Sequence, residues 1–455
     1  MSQLATTPRR GSPTRSGRPR ATLAVTAAAT AVALMNYTAP MLTLPDMAAA
    51  FGTPASAQAW LLNGTPLGLA VLLLVAGSLA DTHGRRRVFL LGTLTLGLTT
   101  ALGALAGSTL TFTAARIAQG AASAAVLAGS LGLLAHAYPA GRDRIRATGI
   151  WGASVSGGIA LGPLLAGALS LADWRLAYGA LGAAALAIAA AGARTLPKEA
   201  TAPSGRGRPD IPGALALGLA LAALLTALTL GRDGWLRAPV GLLLLASAAL
   251  TALFVAVEHR SRTPMVDLAL LRRPAFLAST LGALFTGLAV IGLFSVVPAL
   301  LQGGAGMSPL TTAWLFLLWS GTAFVAALQA RRLAGRLSAA HQLALGFALS
   351  AAGILALLGT LEGPWPRLVP GLLAAGVGSG LLNAALPRLA VDSVPPERAA
   401  MGSGANNTAR YIGSSAGVAL TLALVTTGPD TALLVSAGLA VTGGVLTLVL
   451  GRGRG

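Results

Sequence analysis

The sequence predicts an all-α polytopic membrane protein with about fourteen transmembrane spans. Three observations carry that expectation. Of its 455 residues, 55% are hydrophobic and only 10% charged, with mean hydropathy +0.74, whereas a soluble domain has about 25% charged residues. Apolar runs of about 20 residues, enough to cross a ~30 Å hydrocarbon core, recur along the chain. The polar breaks between them hold nearly all the lysines and arginines. A barrel would instead show short segments alternating apolar and polar.

The formal charge of +19 has two competing readings. A nucleic-acid binder clusters its bases on a folded soluble surface with interleaved aromatics, while a membrane protein puts them in the loops of one side. Here the bases fall between apolar runs, so no nucleic-acid partner is expected and the lipid bilayer is. There is no cysteine, which removes disulfides and thiolate metal sites. The four histidines show no zinc spacing. No metal and no cofactor are expected.

Taken in order, residues 1–20 are rich in Arg, Ser, Pro, Gly and Thr, a composition for a disordered basic tail. The run 21–44 is long for the apolar stretch of a signal peptide, and more spans follow, so it reads as an uncleaved first helix. Further spans are expected at 58–80, 88–107, 110–136, 145–171 and 175–195, completing a first six-helix bundle over 21–195. The polar stretch 195–209 is the longest interruption and reads as a flexible linker. It leads to an extra helix pair at 211–230 and 239–257, within a linker region of 196–258. A second six-helix bundle over 259–450 takes spans 275–300, 309–330, 341–360, 367–390, 402–426 and 430–450, before a short tail at 451–455. The halves show no residue-by-residue repeat, though Arg331–Arg336 resembles a worn echo of the Gly77–Arg87 turn.

An even number of spans puts both termini on one side. That placement gathers 26 of the 32 lysines and arginines on the terminal side and leaves 4 opposite. The excess marks the cytoplasmic face. A multi-pass protein of the inner or plasma membrane, with both termini cytoplasmic, is expected.

Three stretches stand out as motifs. Gly77-Ser-Leu-Ala-Asp81-Thr-His-Gly84-Arg85-Arg86-Arg87 crowds a carboxylate and three arginines between two apolar runs, so it must lie in water at a membrane face. Gly84 permits a tight turn with positive φ. Asp81 can accept hydrogen bonds from the loop arginines or from a neighbouring helix N-terminus. Arg116-Ile-Ala-Gln119-Gly120 falls in the fourth span. A charge there costs on the order of 2.5–3.5 kcal/mol at mid-membrane, so Arg116 must face the protein interior or reach the outer interface. Third, Gly149, Gly158, Gly162, Pro163 and Gly167 give the fifth span a small-residue face for close packing, with Pro163 deleting one helix hydrogen bond. Gly376–Gly380 lies inside an apolar span with no strand before it, and reads as packing rather than a nucleotide loop.

These stretches together resemble signatures of the major facilitator superfamily. Later segments resemble its fourteen-helix drug:proton antiporter branch: Trp174-Arg175, Glu258-His259-Arg260 with Pro264-Met265-Val266-Asp267, and Gly402–Gly413 with Asn406, Asn407 and Arg410. The resemblance covers almost the whole chain after residue 20. It implies two six-helix bundles of the major facilitator fold joined by two extra helices, and alternating access to a cavity between them. It implies that Gly77, Asp81, Gly84, Arg85 and Arg86 form a cytoplasmic gate, with Asp81 reaching the helix that starts near Ala399–Ser403. It places Arg116, Gln119 and Arg410 in coupling or cavity roles, and protons as the coupling ion. One departure matters: the branch usually carries an aspartate where Asn36 stands, and an amide cannot bind and release a proton.

The expected function is export of lipophilic or amphipathic small molecules by a monomeric carrier. Asn36, Tyr37, Asn63, Gln119, Trp151 and Asn383 are candidate polar or aromatic contacts in the cavity wall. An exporter of one endogenous metabolite, or a non-transporting receptor or scaffold, would be the alternatives. No nucleophile–base or metal constellation suggests an enzyme.

Overall fold

The computed structural model describes residues 17–138, 142–197, 211–231, 234, 236–260, 270, 272–333, 337–394 and 399–451. They form α1 (Gly17–Thr38), α2 (Pro40–Phe51), α3 (Gln58–His83), α4 (Arg85–Ala104), α5 (Thr109–Ala137), α6 (Arg142–Leu169), α7 (Arg175–Thr195), α8 (Ile211–Gly231), α9 (Ala238–Arg260), α10 (Pro274–Phe285), α11 (Gly292–Gly303), α12 (Pro309–Leu333), α13 (Ala339–Leu355), α14 (Val369–Asp392), α15 (Ala399–Val425) and α16 (Pro429–Gly451). No strand occurs among the described residues. A π-helical segment, Thr286–Ile291, welds α10 and α11 into one rod. Among the described residues eleven helices are long and apolar enough to cross a membrane, and α3, α8 and α13 hold shorter apolar stretches.

The expected first span, 21–44, is not one helix. It starts earlier, at Gly17, so the last residues assigned to the tail are helical, and it divides at Ala39. Pro40 is the cause, because it brings no N–H to the ladder. The remainder of that tail, the linker 198–210, the Pro264–Asp267 segment, the side chains of Arg331 and Arg332, Leu333–Arg336 and the tail after Gly451 lie outside the described residues or side chains.

Helix pairing shows the repeat that sequence comparison misses. In the first half α1 packs along α6, α3 along α5, and α4 against both α5 and α7. In the second half the α10–α11 rod packs along α15, α12 along α14, and α13 against both α14 and α16. Position for position, the pairings are the same. Glycine makes each of these crossings close. Gly64 and Gly68 lie on Thr113, Arg116 and Ile117, while Gly376 and Gly380 lie on Trp319 and Ala323. Gly158 and Gly162 lie on Ala31 and Met35, while Gly413 and Gly417 lie on Leu284 and Leu288. Gly97 and Gly182 join α4 to α7. Leu91, Leu98, Leu242, Leu245 and Leu253 point outward and are exposed, as befits a surface whose solvent is lipid.

The halves meet along α3–α15 and α6–α12, again equivalent pairs, with α8 laid over the α3–α15 seam. These seams are tight at the end remote from the Gly77–Arg87 turn. There Asn63 Nδ2 donates to the Ser415 carbonyl (3.2 Å), Gln302 Nε2 donates to the Leu42 carbonyl (3.0 Å), and Gly167 sits on Pro309 and Ala313. Leu44, Leu61 and Leu62 close the same end against Val296, Val418 and Leu422. At the turn end, Gly77 and Gly152 have open space where a Cβ would stand. The side-chain hydrogen bonds between the halves thus include two at the end remote from the turn, where a second cavity lies between α2 and α11.

Candidate functional site

Arg116 is completely buried. Burial of a guanidinium in a membrane protein favours use of its donors; a proline supplies an acceptor for Nη1, while Nε is buried without a partner among the described residues. In a continuous helix the N–H of residue 40 bonds the carbonyl of residue 36. Pro40 has none, and Arg116 Nη1 donates to that Asn36 carbonyl at 2.7 Å. The same nitrogen reaches Asn36 Oδ1 (3.2 Å) and Gln119 Oε1 (2.8 Å). Nη2 reaches the Tyr37 carbonyl at 3.3 Å. Arg116 and Gln119, three apart on α5, share one face. Asn36 Nδ2 donates to Gln119 Oε1 (3.1 Å) and Gln119 Nε2 to the Thr99 carbonyl (3.0 Å). The cluster thus ties α1, α4 and α5 together with neutral acceptors around one positive charge. It resolves the two placements open to Arg116 in favour of the interior.

This cluster does not face the central cavity. The cavity lies between α1–α2, α6 and the second half, and Tyr37, Ser156, Phe294, Trp319, Asn383 and Arg410 are among its walls. Its free volume is about 50 Å³, room for a few waters rather than a drug-sized guest. Of the six wall candidates read from sequence, Tyr37 and Asn383 line it. The others are engaged elsewhere: Asn36 and Gln119 with Arg116, Asn63 between α8 and α15 through Thr229 and Ser415, and Trp151 through Nε1 to Ser130 Oγ at 2.9 Å. A polar residue in a span finds the nearest buried partner, and for these four that partner is a neighbouring helix. Arg410 Nη2 donates to Asn383 Oδ1 at 2.9 Å. Tyr37 packs edge-on to Tyr411 and its hydroxyl meets Ser414 Oγ at 3.1 Å. Phe294 and Trp319 stack with centroids 4.4 Å apart and planes 5° from parallel. This pair was missed in the sequence because each residue sits in an apolar run; the signal available was only that aromatics are 5% of the chain.

In the turn, Gly84 adopts φ 97°, a conformation open to glycine. Arg86 Nη2 and Nε donate to the carbonyls of Ala193 (2.8 Å) and Leu196 (3.2 Å), at the C-terminus of α7. Cations suit that end of a helix. Arg85 Nη1 donates to the Gly132 carbonyl of α5 at 3.2 Å. The two arginines thus staple the start of α4 to its own half. The Asp81 side chain lies outside the described side chains, as does the start of α15 at Ala399–Met401. On α6, Gly158, Gly162 and Gly167 meet neighbours, and Pro163 is buried. Gly149 does not share that packing role: it is exposed, with open space at its Cβ position near the arginine-rich end of α6. In the Gly402–Gly413 stretch, Asn406 Nδ2 crosses to Ser279 O and Oγ, both at 2.9 Å. Asn407 does not bond across helices; its Nδ2 returns to Ser403 O of its own helix (3.0 Å).

The family model for the Major Facilitator Superfamily matches residues 26–418. The chain belongs to the major facilitator superfamily. It is a multi-pass membrane transporter of this superfamily rather than a member of an enzyme family. It is similar to the multidrug resistance protein Stp of Mycobacterium tuberculosis, 32% identical over 381 residues, covering 83% of this chain and 70% of that protein. It is also similar to the puromycin resistance protein pur8 of Streptomyces alboniger, 32% identical over 424 residues, covering 91% and 83%. Its fold is similar to that of a solved bacterial homologue of the human lysosomal transporter Spinster in an inward-facing, unoccupied conformation, with TM-score 0.68, 16% identity and coverage of 97% and 98%.

Proposed function

We propose that this major facilitator exports lipophilic or amphipathic small molecules across the cell membrane by alternating access. The moving bodies are the six-helix bundles of 21–195 and 259–450, with 211–257 as the extra pair, fourteen spans in all and both termini cytoplasmic. The observation that carries this reading is the cavity enclosed between the two equivalent halves, lined by Tyr37 and Ser156 from one and by Phe294, Trp319 and Arg410 from the other. Excess arginine marks the cytoplasmic side, which sets the side from which such a carrier would load. Relatives whose names record drug resistance support the exporting direction. One chain holds both halves and the cavity between them, which supports a monomeric unit.

Proton exchange is the coupling usual for the branch. In this chain the group beside Arg116 is the amide of Asn36, which supports carriage without a proton at that position. Flux of a panel of dyes and antibiotics from proteoliposomes, with and without an imposed pH gradient, tests both points. No protein-dependent flux of any compound would sink the transport reading. Flux that requires the gradient would restore proton exchange.

A further inference from the structure

The cavity wall carries one charged side chain, Arg410. It is half-buried in the middle of the protein, and among the described residues its one hydrogen bond goes to the neutral Asn383. A guanidinium has five N–H donors, so most of this one is left for something else. The second buried cation, Arg116, stands behind Tyr37 and bonds that residue's carbonyl. Among the described residues neither arginine is paired with a carboxylate: every described Asp and Glu lies near a helix end or in a loop. Arg410 therefore presents a positive charge to the cavity with no negative charge against it among the described residues, and Arg116 adds a second buried charge behind Tyr37, an arrangement that favours an anionic occupant. Two further polar groups of the wall are buried and have no partner, the indole N–H of Trp319 and the hydroxyl of Ser379. The flat face is supplied by Trp319 stacked on Phe294.

We propose that this cavity is an anion site for a planar aromatic acid, with the acidic group on Arg410 and the ring against the Phe294–Trp319 pair. The proposal rests on the transport reading and names its substrate class. Arg410 gives a charge-assisted, forked contact to the carboxylate or phenolate. Asn383 holds one edge of the guanidinium so that the other edge faces the cavity. Trp319 and Ser379 supply further hydrogen bonds once the guest separates the walls. The cavity is narrow as it stands, so the guest enters by spreading the two halves.

Three ligands with one ring system test the charge: naphthoate, naphthalenemethanol and naphthalenemethylamine. Equilibrium dialysis against the purified full-length protein, corrected with empty micelles, is expected to rank the acid first and the amine last, with about tenfold between them. Arg410→Gln is expected to weaken naphthoate about tenfold and leave the alcohol nearly unchanged, while Arg410→Lys keeps the order. An amine that binds as tightly as the acid overturns the proposal, and the wild-type comparison alone can show this. An order left unchanged by R410Q overturns it as well. Naphthoate flux in proteoliposomes separates this inference from the one beneath it. Naphthoate that binds with the expected preference yet is not moved faults the transport reading and upholds the anion site.

Discussion

Pro40 leaves the Asn36 carbonyl without its helical donor, and Arg116 takes that carbonyl at 2.7 Å. One missing N–H in the first span thus receives the one charge buried in the fourth. Pro40→Ala supplies a competing N–H, and loss of most transport is expected while the chain still reaches the membrane. Arg116→Lys is expected to fail similarly, because an ammonium cannot fork to the carbonyls of Asn36 and Tyr37 together. Asn36→Asp sets a carboxylate where Arg116 now meets an amide oxygen at 3.2 Å. Flux by N36D should gain a pH dependence that the wild type lacks. A flat profile for N36D, measured in proteoliposomes, would refute the claim that the amide decouples this position.

Two glycines of the same stretch should respond in opposite ways. A Cβ at Gly162 would press on Thr38 and on the Met35 backbone, whereas one at Gly149 meets open space. Thermal unfolding in detergent should show Gly162→Ala destabilised by about 1–3 kcal/mol. Gly149→Ala should be neutral or gain up to about 1 kcal/mol from helix propensity. Equal losses would mean that α6 packs at its basic-face end as well.

The adjacent asparagines of α15 form a similar contrast. Asn406→Ala removes two bonds to Ser279 on another helix and should cost about 0.6–1.7 kcal/mol. Asn407→Ala removes a bond within its own helix and should be close to silent in the same assay.

Most of the fold was legible because hydrocarbon imposes length and polarity on each span; α7 was expected at 175–195 and is found at Arg175–Thr195. The break at Ala39 was not foreseen, since hydropathy averages over a proline that is itself apolar. Nor was the repeat between halves, because equivalent crossings use glycines that need not align: Gly158 on Ala31 in one half, Gly413 on Leu284 in the other. The charge of Arg116 left two placements, the interior and the outer interface, and its hydrogen bonds decide for the interior. Its separation from the cavity did not follow from its charge, since that depends on which helix presents the nearest acceptor. Asn63 and Trp151 show the same limit: composition says a polar atom needs a partner but not where the partner stands.

The chain contains no cysteine, so single-cysteine variants report without background. Gly77→Cys and Gly152→Cys face open space, and Gly167→Cys would be packed against Pro309 and Ala313. A membrane-impermeant maleimide should label the first two from the cytoplasmic side within the time that leaves the third unmodified. Preferential labelling of G167C from the outside would mean that the resting carrier opens the other way.

At the end remote from the Gly77–Arg87 turn, burial raises the Asp46 carboxyl above the usual carboxylate range, and repulsion from Asp173 adds to it. A raised acid pKa in the folded state means that the unfolded chain loses its proton first as pH climbs. Stability should therefore fall as pH rises from the unfolded value of 3.8 through the folded one. Asp46→Asn should unfold at a higher temperature than the wild type at neutral pH and at the same temperature in strong acid. Identical melting curves at neutral pH would remove the charge penalty.

Arg116 and Arg410, without carboxylate partners among the described residues, bear on where the energy for export comes from. A carrier whose core can hold an anion, and whose usual proton site is an amide, has the membrane voltage available as its drive. One negative charge leaving a cell at −100 mV releases about 2.3 kcal/mol. That free energy sustains roughly a fifty-fold concentration ratio with no second ion moving. For an acidic cargo, the electric field across the bilayer does the pumping, and the protein need only keep the two doors from opening together.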